Sequence, residues 1–140
     1  MSAVRVLLVR EIDGQMSSSG CCGRVAGDAA RWSREGPVFA ERRRWMEEMG
    51  RLYRGLESRF GEKVQLDVVD PRNLFSYTAL LWQAGRQAGR SPLPLMAGWL
   101  TGWHRLAVFV DGKPIATGHV PSLEKVAEAV EHRLQFGAKR

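Results

Sequence analysis

A chain of 140 residues with 44% hydrophobic content and five tryptophans carries enough apolar material to close one core, which argues against a disordered chain. No apolar run approaches the roughly 20 residues of a membrane span and the N-terminus lacks the apolar region of a secretion signal, so a cytoplasmic protein with no membrane contact is expected. The net charge of +6 comes largely from arginine, but Arg42-Arg43-Arg44 alternates with Glu41, Glu47, Glu48 and Glu57 as a solvated helix face does, so nucleic acid is not an expected partner.

Val4-Arg5-Val6-Leu7-Leu8-Val9 is almost wholly apolar or β-branched, the composition of a strand covered on both faces in a parallel sheet. Residues 10–36 then form a long connection rich in Gly and Ser, and connections of this length inside a compact domain tend to be functional. It holds Ser17-Ser18-Ser19-Gly20-Cys21-Cys22-Gly23, with both of the chain's cysteines side by side. Two cysteines in a cytosolic chain of this size point to reactivity or metal binding rather than to a disulfide framework. A strand that delivers a small, flexible turn to the front of a helix also favours the thiolate, because helix-terminal N–H groups and nearby cations stabilise the anion.

Gly36-Pro37 marks a helix start, with proline in the first turn where its missing N–H is not needed. Val38, Trp45, Met49, Leu52 and Leu56, together with Phe39, Met46, Tyr53 and Phe60, recur at helical spacing, so a helix over 37–60 is predicted with this broad stripe as core. Residues 64–69 read as a second strand ended by Asp70-Pro71. A helix over 76–88 follows, its face formed by Tyr77, Leu80, Leu81, Ala84 and Ala88 and its stop by Gly89 and Pro92.

Residues 92–103 contain no charge, and their prolines and glycines predict an irregular segment that packs over the core or offers a surface for a partner, a homodimer contact included. Strands over 106–110 and 114–118 are joined by Asp111-Gly112, the residues of a tight hairpin turn, and Pro114 places the second of them at a sheet edge. Ser122 is a good N-cap for a helix over 122–135 built on Leu123, Val126, Ala127, Val130 and Leu134. Residues 1–140 are thus expected to be one domain with a thiol-bearing loop at 10–36.

This order, with paired cysteines after the first strand, resembles the thioredoxin-like fold superfamily over nearly the whole chain. The resemblance implies an α/β three-layer sandwich of order βαβαββα, a four-stranded mixed sheet flanked by helices. Residues 108–122, from Val108-Phe109-Val110-Asp111-Gly112 to Gly118-His119-Val120-Pro121-Ser122, look like the hairpin and helix start of the arsenical-resistance metallochaperone family, and Cys21-Cys22 looks like that family's adjacent cysteine pair. That family uses a third cysteine shortly after the pair, whereas residues 23–27 hold none, so a three-thiolate site within one chain is excluded. Thioredoxins separate their cysteines by two residues and carry a cis-proline before the hairpin; here the cysteines touch and His104-Arg105 stands in the proline's place.

Three classes of function stay open on these residues. The Cα atoms of adjacent cysteines lie about 3.8 Å apart across a trans peptide, below the usual disulfide span of roughly 4.4 to 6.8 Å, so a Cys21–Cys22 bond is strained and easily reduced. That suits a thiol–disulfide oxidoreductase acting on a thiol or disulfide protein partner, in which either cysteine attacks a mixed disulfide or an oxidant and the neighbour or glutathione resolves it. Alternatively Cys21 and Cys22 hold a soft metal or metalloid ion, with His119, at the hairpin's end, as a further ligand; His104 and His132 read as a strand-start and an outer helix residue. The third class is a redox-inert interaction domain of the same fold. No phosphate-binding Gly-x-x-x-x-Gly-Lys-Ser/Thr, His-Glu-x-x-His or Gly-x-Ser-x-Gly motif is present, which removes nucleotidase and hydrolase chemistry.

Overall fold

The structure, a computed structural model, describes residues 3–10, 36–70, 73–103 and 106–137, with backbone alone for 36–43. The first strand, β1 (Val4–Val9), is fully apolar apart from Arg5 and lies in the interior of the sheet. Helix α1 (Gly36–Phe60) and a 3-10 turn (Gly61–Lys63) bring the chain back to β2 (Val64–Val69), which runs parallel to β1 with Val4 opposite Val64 and Val9 opposite Val69. Strands β3 (Ala107–Val110) and β4 (Lys113–Thr117) form an antiparallel hairpin, and β3 is also antiparallel to β1. The sheet order is β2-β1-β3-β4. The boundaries of the four strands and of the three helices read from the sequence fall within two residues of those expected.

The remaining helices are α2 (Leu74–Gln87), α3 (Pro92–Gly102) and α4 (Leu123–Gly137). Alternation along the strands divides the core into two layers. Val4, Val6 and Leu8 of β1 meet Met49, Leu52 and Leu56 of α1 and Val126 and Val130 of α4 on one face. Leu7 and Val9 meet Tyr77 and Leu81 of α2, with Trp99 of α3, on the other. The result is an α/β protein with a four-stranded mixed open sheet covered by helices on both faces. No helix among the described residues is long and apolar enough to cross a membrane.

The element order corrects the expected βαβαββα. Residues 92–102, expected to be irregular, form α3, so the order is βαβααββα. Pro92 and Pro94 both lie in the first turn, where no intrahelical N–H bond is lost. Gly98 and Gly102 are buried contacts rather than breaks: a Cβ on Gly102 would come within 2.5 Å of Phe109 Cζ and 2.6 Å of the Tyr77 hydroxyl. Gly85 serves α2 in the same way, since a Cβ there would meet Leu95 Cδ2 at 2.0 Å.

Local chemistry sets the other ends. Asn73 caps α2 by accepting the Ser76 N–H at 3.1 Å, so that the helix starts at Leu74, two residues before the expected 76, and Gly89 (φ 75°) ends it. Asp111 (φ 47°) and Gly112 (φ 77°) give the hairpin its positive-φ pair, and Pro114 sits on the edge strand opposite Phe109 beside a bulge. Ser122 Oγ accepts the Lys125 N–H at 3.3 Å at the head of α4.

Candidate thiol-loop end of the sheet and its cleft

The site begins where β1 ends. Arg10 donates its N–H to the Val69 carbonyl at 3.0 Å, extending the parallel pairing by one bond before the chain enters the thiol-bearing connection. The connection re-enters as α1. Cys21 and Cys22 lie outside the described residues, as does His104; the structure describes the two anchors of the segment that carries the thiols. Those anchors belong to the carboxyl end of a parallel strand pair, the edge at which open α/β sheets bind ligands.

Antiparallel pairing brings the hairpin to the same edge. Ala107, the first residue of β3, pairs with Val9 on one side and with Thr117 on the other, and the Gly118 N–H donates to the Leu106 carbonyl at 2.6 Å. His119, one residue on, is exposed, with Nδ1 3.2 Å from the Thr117 carbonyl that accepts from it. It therefore shares a sheet end with the loop anchors, two strand spacings or about 10 Å across from β1. His132 is exposed on α4 and packs on Phe136 at 4.6 Å between ring centres. No group of three or more His, Cys, Asp or Glu side chains converges among the described residues.

A cleft of about 280 Å³ opens at this edge, on the α1 side of the sheet. Leu8, Arg10, Val68 and Leu106 form its sheet wall, and Trp45, Met46, Met49, Gly50, Tyr53 and Arg54 its helix wall. Its origin is visible in the packing. Helix α1 crosses the sheet antiparallel to β1, so that Leu56 and Phe60 cover the start of β2, where Val64 is buried. Toward the other end the helix leaves the edge strand uncovered, and Val68 is 49% exposed.

The expectation that the whole Met and aromatic stripe of α1 is core therefore needs correcting. Met49, Leu52 and Leu56 are buried, but Met46 is 54% exposed and lines the cleft with half-buried Trp45 and Tyr53. Helical periodicity shows that a face is apolar; it does not show how far the opposing sheet extends. The sequence reading also missed Gly50 and Arg54, whose signal was a glycine in mid-helix one turn before an arginine.

Among the described residues, the charged side chains that line the cleft are Arg10 and Arg54, both cations. Elsewhere on α1, Arg44 pairs with Glu48 at 3.1 Å and Arg51 with Glu47 at 3.7 Å. Arg54 has no carboxylate partner among the described residues.

The α3 surface lies on the opposite face of the sheet. Trp99 stacks on Tyr77 at 6.3 Å and its indole N–H donates to Thr78 Oγ1 at 2.9 Å, whereas Leu93, Met96 and Leu100 are exposed. Trp103, at the end of α3, leads back toward the loop edge.

The comparisons with known proteins supply no relative: no family model, no curated protein and no solved structure matches the chain.

Proposed function

We propose that the protein is a thioredoxin-like thiol protein in which Cys21 and Cys22 carry out thiol–disulfide exchange with a protein partner. The observation that supports this reading is the sheet order β2-β1-β3-β4, with β1 parallel to β2 and antiparallel to β3, and the cysteine-bearing segment joining the carboxyl end of the interior strand to α1. This is the strand arrangement that the thioredoxin-like resemblance implies, with α3 as an addition to it. The cations at the same edge, Arg10 and Arg54, favour ionisation of a nearby thiol.

In the exchange, the thiolate of one cysteine attacks a sulfur of the partner's disulfide. A mixed disulfide forms and the partner's second sulfur leaves as thiolate. The neighbouring cysteine then attacks the mixed disulfide, releasing the partner as a dithiol after protonation and leaving Cys21–Cys22 oxidised, so two electrons pass from this protein to its partner. The strained vicinal disulfide is returned to the dithiol by glutathione, which is oxidised in turn. A second reading, supported by the position of His119 at the same sheet end, is capture of a soft metal or metalloid ion by the two thiolates with His119 as third donor.

Intact-mass spectrometry of the full chain separates these readings. Exchange predicts a glutathione adduct or an internal disulfide after treatment with oxidised glutathione, reversed by reductant and altered in Cys21→Ser and Cys22→Ser. Ion capture predicts instead that zinc or trivalent arsenic protects both thiols from alkylation stoichiometrically, and that either substitution removes the protection. Two thiols that neither oxidise reversibly nor become protected overturn both readings and leave an interaction domain.

A further inference from the structure

We propose that the cleft between α1 and the carboxyl ends of β1 and β2 binds a small amphipathic carboxylate, an unbranched apolar body with one anionic head. This site needs neither cysteine.

The walls take the apolar body. Leu8 and Met49 close the floor and are 0% and 7% exposed, while Val68 and Met46 stand over them at 49% and 54%. Two large apolar side chains half open to water, facing each other across a helix–sheet junction, form a surface that gains by being covered. Methionine and aromatic rings suit an occupant of variable shape, since the thioether chain adapts and Tyr53 and Trp45 give flat contact area. A volume of about 280 Å³ is at the small end of ligand cavities, which fits a single chain and not a multi-ring cofactor.

Arg54 takes the head. It lines the cleft, has no carboxylate partner among the described residues, and its Nη1 lies 3.3 Å from the point where a Cβ on Gly50 would stand. The guanidinium is thus folded back over Gly50, along the helix wall. A side chain at position 50 would crowd both the arginine and the cleft, which gives the mid-helix glycine a reason despite its cost to the helix. The planar guanidinium matches a carboxylate with two parallel hydrogen bonds. Arg10 is a second cation on the described walls, which include no acid.

The test is titration of the isotope-labelled full chain with decanoate, followed by amide proton–nitrogen spectra. The expected result is a saturable set of shifts centred on Gly50, Tyr53, Arg54 and Val68, with decanol, the uncharged counterpart, binding about tenfold more weakly for want of a charge-assisted hydrogen bond. Arg54→Gln should weaken decanoate by about the same factor and leave decanol unchanged. Gly50→Leu should abolish binding of both while the rest of the spectrum stays folded. The proposal is overturned by the absence of saturable shifts at those residues, by an Arg54→Gln variant that binds decanoate as the wild type does, or by shifts centred on Leu93 and Leu100 of α3.

Discussion

Asp111 is the buried carboxylate of the described core, and its surroundings are cationic. Its Oδ1 accepts the Arg5 backbone N–H at 2.9 Å, its Oδ2 accepts Arg133 Nε at 2.7 Å and its carbonyl accepts Arg90 Nε at 2.6 Å. The side chain thereby ties the hairpin turn to the start of β1 and to α4, and the carbonyl ties it to Arg90 just past the end of α2. Asp111→Ala should cost about 2–3 kcal/mol in urea unfolding, since it leaves a half-buried guanidinium unpaired and puts alanine at positive φ. Asp111→Asn, which tolerates that φ, should lose less; equal losses would mean that the charge, not the backbone, sets the cost. Asp111-Gly112 was legible as a turn because turn chemistry is local. The ion pair was not, because Arg133 lies 22 positions away on another element and no spacing rule links it to the turn.

Tyr77, also fully buried, donates its hydroxyl to the Trp99 carbonyl at 2.8 Å. Burial pushes its phenol above the ordinary range for tyrosine. A pKa raised in the folded state stabilises fully below the unfolded value of about 10, and that contribution is lost as pH rises beyond it. Wild-type stability should therefore fall above pH 10 by up to about 1.4 kcal/mol per pH unit more than that of Tyr77→Phe, which has no phenol to ionise. Parallel alkaline slopes for the two proteins would contradict the burial of this hydroxyl.

At the scale of elements, α3 separates what glycine does from where it stands. Gly102→Ala should cost about 1–3 kcal/mol, because its Cβ would press on Phe109 and the Tyr77 hydroxyl within a packed layer. Gly98 has only ordinary contacts near 3.6 Å, so Gly98→Ala should be neutral or stabilising by about 0.4–1 kcal/mol through the unfolded chain. Thermal unfolding of the two variants reads the difference directly. The sequence gives the same signal at both positions, a glycine in an apolar run, and only the partner layer distinguishes them. The outward side chains of α3, Leu93, Met96 and Leu100, recur at helical spacing and stay exposed. If this stripe joins two copies of the chain, light scattering gives a dimer mass for the wild type and a monomer mass for Leu93→Ser with Leu100→Ser; a monomer mass for both removes the contact.

For the whole molecule, the path of the chain was legible because each step followed a rule with few exceptions. A right-handed crossover through α1 makes β1 and β2 parallel neighbours, the short turn makes β3 and β4 antiparallel, and Pro114 keeps β4 at the edge. The cleft was not legible, since it depends on how closely α1 covers β2, burying Val64 and leaving Val68 half exposed, a relation between elements that neither sequence stripe records. The topology puts the anchors of the cysteine-bearing segment, His119 and the cleft at one edge of the sheet, the edge proposed to support thiol chemistry. The most direct measurement is the rate of alkylation against pH for the wild type, Cys21→Ser and Cys22→Ser. At least one thiol should ionise well below the unperturbed value of about 8.5. Half-maximal rates near about 8.5 for both single variants, as for ordinary exposed cysteines, would contradict it.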